Sequence, residues 1–266
     1  MNSNDKESIN INKYISSTGI CSRRDAEKFI IEKRVSINGQ TAQLGNRVFK
    51  GDTVKIDNKL LQPKPKPIYL ALNKPIGIVC TTDRKEKNNI INFVGHSERL
   101  FPIGRLDKPS EGLIFLTNDG DIVNKILRAG NNHEKEYLVT LNKPFRDQFI
   151  KRMSNGIPIL GTVTKKCKVE RINDKTFRII LVQGLNRQIR RMCEYLGFEV
   201  KQLKRTRIMN VTLGNLKSGK WRNLSNIEIQ QINRLLLKSS KTEEASLKNK
   251  NFSSHKKLKN RFGRKK

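Results

Sequence analysis

"GRLDKPSEGLIFLTNDGD", residues 104–121, holds both a candidate reactive group and the pattern that decides the fold. Leu113 to Thr117 form a short apolar run, ended by turn residues Asn118 to Gly120 and followed by a helix start at Asp121. That order predicts a buried strand feeding a helix. Outward from it, "IYLALNKPIGIV" reads as two strands about a turn at Asn73, Lys74 and Pro75. "KEYLVTL", "TFRIILVQG" and "RIMNVTLGNL" read as further strands, and "NRQIRRMCEYLG" as a helix stopped by Gly197. Strands outnumber helices, so residues 68–237 are expected to form one mixed α+β domain on an antiparallel-rich sheet.

Upstream lies a smaller unit, 9–62. Ile11, Tyr14 and Ile15 recur at helical spacing, Gly19 suits a helix end, and Ser22 with Asp25 suits the cap of a second helix, "RRDAEKFIIEKR". "VSING" and "GDTVKI" then alternate apolar and polar residues around the turn signals Asn38-Gly39 and Gly51-Asp52, which predicts a small sheet. The Pro- and Lys-rich residues 63–67 cannot join a helix or a central strand and read as an extended linker. Residues 238–266 carry eleven Lys or Arg and two acidic residues with little apolar content, which reads as a disordered basic tail.

The formal net charge is +31, from 55 Lys and Arg against 24 Asp and Glu. This far exceeds what solubility needs and points to a phosphate-rich partner, with nucleic acid the leading reading. No run of about 20 apolar residues and no signal peptide is found, so a membrane is not expected and a cytoplasmic setting is. The four cysteines and three histidines are scattered, without ligand spacing, so free thiols and no metal site are expected.

Within this frame Asp107 is a candidate nucleophile, because a carboxylate can attack as well as accept a proton and guanidinium groups such as Arg105 favour its charged form. A structural turn or salt bridge is the alternative reading of the same residue. Tyr137, opening an alternating strand, could stack on a base or relay a proton, or be a half-buried strand aromatic. Arg187, Arg190 and Arg191 share or adjoin one predicted helix face, a phosphate clamp or a solvated basic face. Lys204, Arg205 and Arg207 are equally cationic and equally open, as are Lys13, Arg23, Arg24, Lys28, Lys33 and Arg34 in the smaller unit, where they could follow an RNA backbone.

Helix, Gly, "SRR-x-A", an apolar helix, "VSING" and "GD-x-V" over residues 9–60 resemble an S4 RNA-binding domain. Then "GRLDKPSEGLIFLTNDGD", "KEYLV", "GLNRQIRRMCEYLG" and "LKRTRIMNV" follow in one order, and over residues 9–235 the chain resembles the RsuA family of ribosomal RNA pseudouridine synthases. The resemblance implies isomerisation of a uridine in large-subunit (23S) ribosomal RNA, by base flipping, without a cofactor and by a monomer. It implies Asp107 as nucleophile, Tyr137 against the target uracil, Arg190 paired with Asp107, and Arg105 beside the flipped nucleotide. Arg187, Gln188, Arg191, Lys204, Arg205 and Arg207 would then bind RNA. A transfer RNA target, or a non-catalytic RNA-binding assembly factor on the same scaffold, are the competing expectations.

Overall fold

The computed structural model describes residues 8–62, 65–83, 85–127 and 132–237. Two compact units divide the chain between Ile68 and Tyr69, with His96–Leu100 belonging to the first. The expected basic tail and residues 63 and 64 of the expected linker lie outside the described residues.

The first unit runs β1 (Ser8–Asn10), α1 (Ile11–Ser17), α2 (Arg23–Ile31), β2 (Val35–Ile37), β3 (Gln40–Thr41), β4 (Arg47–Phe49), β5 (Val54–Ile56) and β6 (Lys59–Leu60). A capping box starts α2: the Ser22 hydroxyl accepts from Asp25 N–H while the Asp25 carboxylate accepts from Ser22 N–H. Ile11, Ile15, Ala26 and Ile30 from the two helices pack on Val35, Val48 and Val54 from the strands. Asn38 and Gly39 both have positive φ, the requirement of the tight turn that joins β2 to β3.

The second unit continues with β7 (Tyr69–Lys74), α3 (Ile90–Val94), β8 (Phe101–Ile103), β9 (Glu111–Thr117), α4 (Gly120–Leu127), β10 (Lys135–Leu141) and α5 (Asp147–Asn155). It goes on through β11 (Pro158–Ile159), β12 (Thr162–Val163), β13 (Lys168–Arg171), β14 (Thr176–Leu181), α6 (Gln188–Tyr195), β15 (Val200–Ile208), β16 (Val211–Thr212), β17 (Trp221–Asn223) and α7 (Asn226–Leu236). The sheet order is β13-β14-β10-β15-β9-β7-β17, with β16 on β15 and β8 on β9. All ladders are antiparallel except β15 with β9, where the pairing covers Lys204↔Glu111 and Arg205↔Gly112.

That parallel junction separates two cores. One packs α5 and α6 on β10, β14 and β15 around Phe149, Met153, Phe177 and Met192. The other packs α4 and α7 on β7 and β9 around Leu113, Phe115, Ile126 and Ile232. Gly112 marks the junction: a Cβ there would stand 2.3 Å from the Arg205 carbonyl oxygen, and its φ of +106° excludes ordinary side chains.

One expectation changes. The turn foreseen at Asn73 to Pro75 falls at Ile76 and Gly77, and the second strand of that pair is reduced to one bridge, Val79↔Asn89. Asn73 and Lys74 stay inside β7, buried, with their side-chain nitrogens bonded inward. Asn73 Nδ2 donates to Leu216 O, and Lys74 Nζ donates to Pro75 O and Ile78 O, each at 2.8 Å for the lysine.

Candidate active site

Asp107 sits in the loop between β8 and β9, and two sets of bonds hold that loop. On one side the Lys74-fastened turn supplies Gly77 N–H to Lys108 O, and Leu106 N–H points to the Cys80 sulfur. On the other, Ser110 N–H donates to Asp107 O, and Arg190 Nη2 donates to Pro109 O and to the Ser110 hydroxyl, both at 3.2 Å. The carboxylate is therefore presented from a fixed backbone, while its side chain keeps 36% exposure.

The loop opens onto a cavity of about 430 Å³. Among the described residues its charged lining consists of Arg105, Lys135, Arg187, Arg190, Arg205 and a single carboxylate, Asp107. Tyr137 reaches it from β10, and Arg205 lies opposite Tyr137 in the β10–β15 ladder with its guanidinium carbon 5.9 Å from the ring centroid. Burial pushes Lys74 below the ordinary lysine range, with the carboxylates of Asp107 and Glu111 acting the other way. Lys74 was not among the expected site residues; a lone lysine before proline in an otherwise apolar strand was its only signal.

The structure seats a different guanidinium beside Asp107 from the expected Arg190. The guanidinium within ion-pair distance is that of Arg187, at 3.7 Å, and Arg190 instead gives its protons to Val200 O, Pro109 O and Ser110. The cause is local backbone: Arg187 takes a left-handed conformation, φ 49°, at the N-cap of α6, which turns it out toward the aspartate. Arg190, one turn into the helix, is buried. Burial and the charge of Arg187 lower its pKa, while Asp107 opposes that shift. Arg187, Arg190 and Arg191 thus do not present one shared face, since Arg191 folds back on Asn186.

Other expected RNA contacts also have protein partners. Gln188 is buried; its side-chain oxygen accepts from Leu185 N–H and shapes the turn before α6. Arg205 is buried in the cavity wall, with Nε donating to Leu113 O at 2.6 Å. Arg207 is held by Met209 O and the carboxylates of Glu134 and Glu136. In the first unit Arg34 forms a bidentate pair with Asp57 and stacks on Phe29, whereas Arg23, Arg24, Lys28 and Lys33 are exposed. Lys13 and Lys204 are half-buried, and Arg105 is exposed at the cavity.

All four cysteines are free thiols, and burial raises their pKa values, to about 11 for Cys167. Among the described residues no group of three or more His, Cys, Asp or Glu side chains is placed to hold a metal ion. No helix among them is long and apolar enough to cross a membrane.

Comparison with known proteins agrees with this geometry. Residues 68–195 match the RNA pseudouridylate synthase family and residues 10–54 the S4 domain. The dual-specificity RNA pseudouridine synthase RluF of Salmonella typhi is 59% identical over 235 residues, covering 88% of this chain and 81% of that protein. RluF of Escherichia coli K12 is 58% identical over the same shares, and ribosomal large subunit pseudouridine synthase B of Bacillus subtilis is 31% identical, covering 85% of this chain and 96% of that one. A crystal structure of a pseudouridylate synthase, 30% identical, superposes with a TM-score of 0.62 over 84% of this chain and 99% of that one. With a site built around one carboxylate in a cation-lined cavity, and relatives matched over most of their length, the chain belongs to the RNA pseudouridine synthases, with an S4 domain at its N-terminal side.

Proposed function

We propose that this isomerase converts a uridine of large-subunit (23S) ribosomal RNA to pseudouridine, as a monomer in the cytoplasm, with Asp107 as nucleophile. The observation that carries the reading is Asp107 itself, the one carboxylate in a cavity whose other charged groups are cations, opposed by Tyr137. The target nucleotide must leave its stack to enter such a cavity, and exposed Arg105 stands where it could fill the space left behind and hold a flanking phosphate. As the C1′–N1 bond breaks, its electron pair leaves with uracil, and Asp107 forms a bond to C1′ in one route or to base C6 in another. In the first route C5 of the turned base then attacks C1′ and expels the carboxylate. In the second C5 joins C1′ while Asp107 still holds C6, and the carboxylate is eliminated from C6 as the C5 proton leaves. The C5 proton is lost and N1 gains one, so the sum is an isomerisation.

Tyr137 holds the detached base so that it turns without escaping. Arg187, in place of the expected Arg190, aligns the Asp107 carboxylate, and Arg190 positions the backbone on which Asp107 sits. Residues 9–62 serve as the RNA-binding module, joined by 63–67 to a catalytic domain of 68–237, with Arg23, Arg24, Lys28 and Lys33 as the free backbone contacts. The dual specificity in the names of the RluF relatives supports a second RNA class, and transfer RNA is the one to examine.

The test is pseudouridine mapping by chemical adduct and primer extension on ribosomal and transfer RNA from cells with and without this gene. Loss of a large-subunit site, restored by the wild-type gene and not by Asp107→Asn, is the expected result. An unchanged map, or rescue by Asp107→Asn, removes the reading.

A further inference from the structure

Two buried cations of the cavity have no task in the steps above. Arg205 is 3% exposed, and one of its terminal nitrogens, Nη2, has no hydrogen-bond acceptor among the described residues. Lys135 is 8% exposed and gives a single N–H, to His133 O at 3.1 Å. Neither forms an ion pair with a carboxylate among the described residues, since the cavity's own carboxylate stands beside Arg187. Leaving a buried donor unsatisfied is costly, and holding two like charges together in a protein wall is costly again.

The strands place them deliberately. Lys135 and Tyr137 are two residues apart on β10 and so share a face. The β10–β15 ladder slips between Glu136 and Tyr137, which leaves Thr206 as an extra residue and sets Arg205 opposite the tyrosine. Thr206 Oγ1 donates to the Glu136 carboxylate at 2.8 Å and fixes that bulge. Across the other edge, the absent side chain of Gly112 lets β9 approach Arg205. Phosphates are better met by the exposed Arg105 and Arg187, whereas Lys135 and Arg205 are buried in the cavity wall on the side of Tyr137.

Resting on the isomerase reading above, we propose that Lys135 and Arg205 form a paired cationic wall that receives the negative charge of uracil as the C1′–N1 bond breaks. The electron pair of that bond is delocalised over N1 and the two carbonyl oxygens, and donors fixed in a low-dielectric wall stabilise such charge more than water does. The same donors complement the oxygens of uracil and leave the amino group of cytosine without an acceptor, so the pair also selects the base. Burial and the charge of Arg205 push Lys135 down to about 8, so it is still mostly charged at neutral pH.

The experiment uses the full chain and an RNA fragment carrying the uridine identified by mapping, made with either uridine or 5-fluorouridine at that position. Fluorine stabilises the departing base anion without help from the protein. Lys135→Met should slow loss of the N-linked nucleoside on the uridine substrate by about a hundredfold, with RNA affinity within a few fold. On the fluorinated substrate the deficit should shrink at least several-fold. Arg205→Lys, which keeps a charge, should be less impaired than Arg205→Met, with circular dichroism confirming that each variant folds. An equal deficit on both substrates, or wild-type rates for Lys135→Met, overturns the proposal. A wild-type protein inactive on the uridine fragment would instead sink the isomerase reading on which it rests.

Discussion

The two units of this protein use positive charge in opposite ways. In the S4 unit Arg23, Arg24 and Lys28 lie exposed on α2, where water solvates them and the fold does not depend on them. In the catalytic unit Lys74, Lys135, Arg190 and Arg205 are buried, and each donates to at least one backbone carbonyl. Surface cations attract a polyanion at no cost to stability. Buried ones weaken the fold and are retained for position and chemistry.

The sharpest break of that contrast is Asp107→Asn. It should lower the rate of pseudouridine formation by more than about a thousandfold, while RNA affinity, carried by cations, stays within a few fold. A variant that lost affinity in step with rate would mean that Asp107 shapes the cavity and does not react.

Next in size is a pair of glycine substitutions, one per unit. Gly112→Ala drives a Cβ into the Arg205 backbone at a φ of +106° and should cost about 3 kcal/mol or more. Gly39→Ala also needs positive φ, +84°, but meets nothing within 4 Å, and should cost only about 1 kcal/mol. Chemical denaturation of both variants checks this, and equal losses would show that the β9–β15 junction yields more readily than its geometry implies.

Third, replacing Arg23, Arg24 and Lys28 together by serine should weaken RNA binding by about tenfold or more and flatten the dependence of log affinity on log salt by about 2. Melting and the single-turnover rate at saturating RNA should hold. An unchanged salt slope would take the exposed face of α2 out of the RNA path.

What could be read from the amino-acid order follows the same divide. The S4 unit was legible because its signals are local: Ser22 and Asp25 cap each other, and Asn38-Gly39 turn the chain within four residues. Asp107 and Tyr137 were legible because their motifs occur in a specific order, and the structure brings both to one cavity. Arg187 was read as a phosphate ligand because sequence does not reveal a left-handed arginine, and that single φ decides which guanidinium meets Asp107. Arg205, Arg207 and Gln188 were read as RNA-binding residues because charge and spacing alone do not say whether a protein partner waits inside. Leu113 O, Glu134 and Leu185 N–H are partners supplied by distant strands or by a turn. Lys74 is the extreme case, a lysine fully buried by two carbonyls of the turn it begins.

One further expected effect concerns Lys135 and is read in stability. Its pKa in the folded protein is about 8 against an ordinary 10.5, so between those values the unfolded chain binds the extra proton and stability gains as pH rises. Below pH 8 both states are protonated and the full penalty of burying the charge remains, about 3 kcal/mol. Lys135→Met should therefore be the more stable protein at pH 7, and the advantage should fade between pH 8 and 10.5 as the wild-type lysine sheds its proton on folding. Burial pushes His133 below the ordinary histidine range, so it is neutral across that window and does not reverse the trend. The buried thiols, whose pKa values are raised, shift both proteins alike and cancel in the difference. The same substitution on an exposed lysine of the S4 unit, Lys28→Met, should show no such pH-dependent gain. If the two lysines behaved alike, the catalytic unit would not be sacrificing stability to keep a cation in its wall, and the contrast between the units would be one of location only.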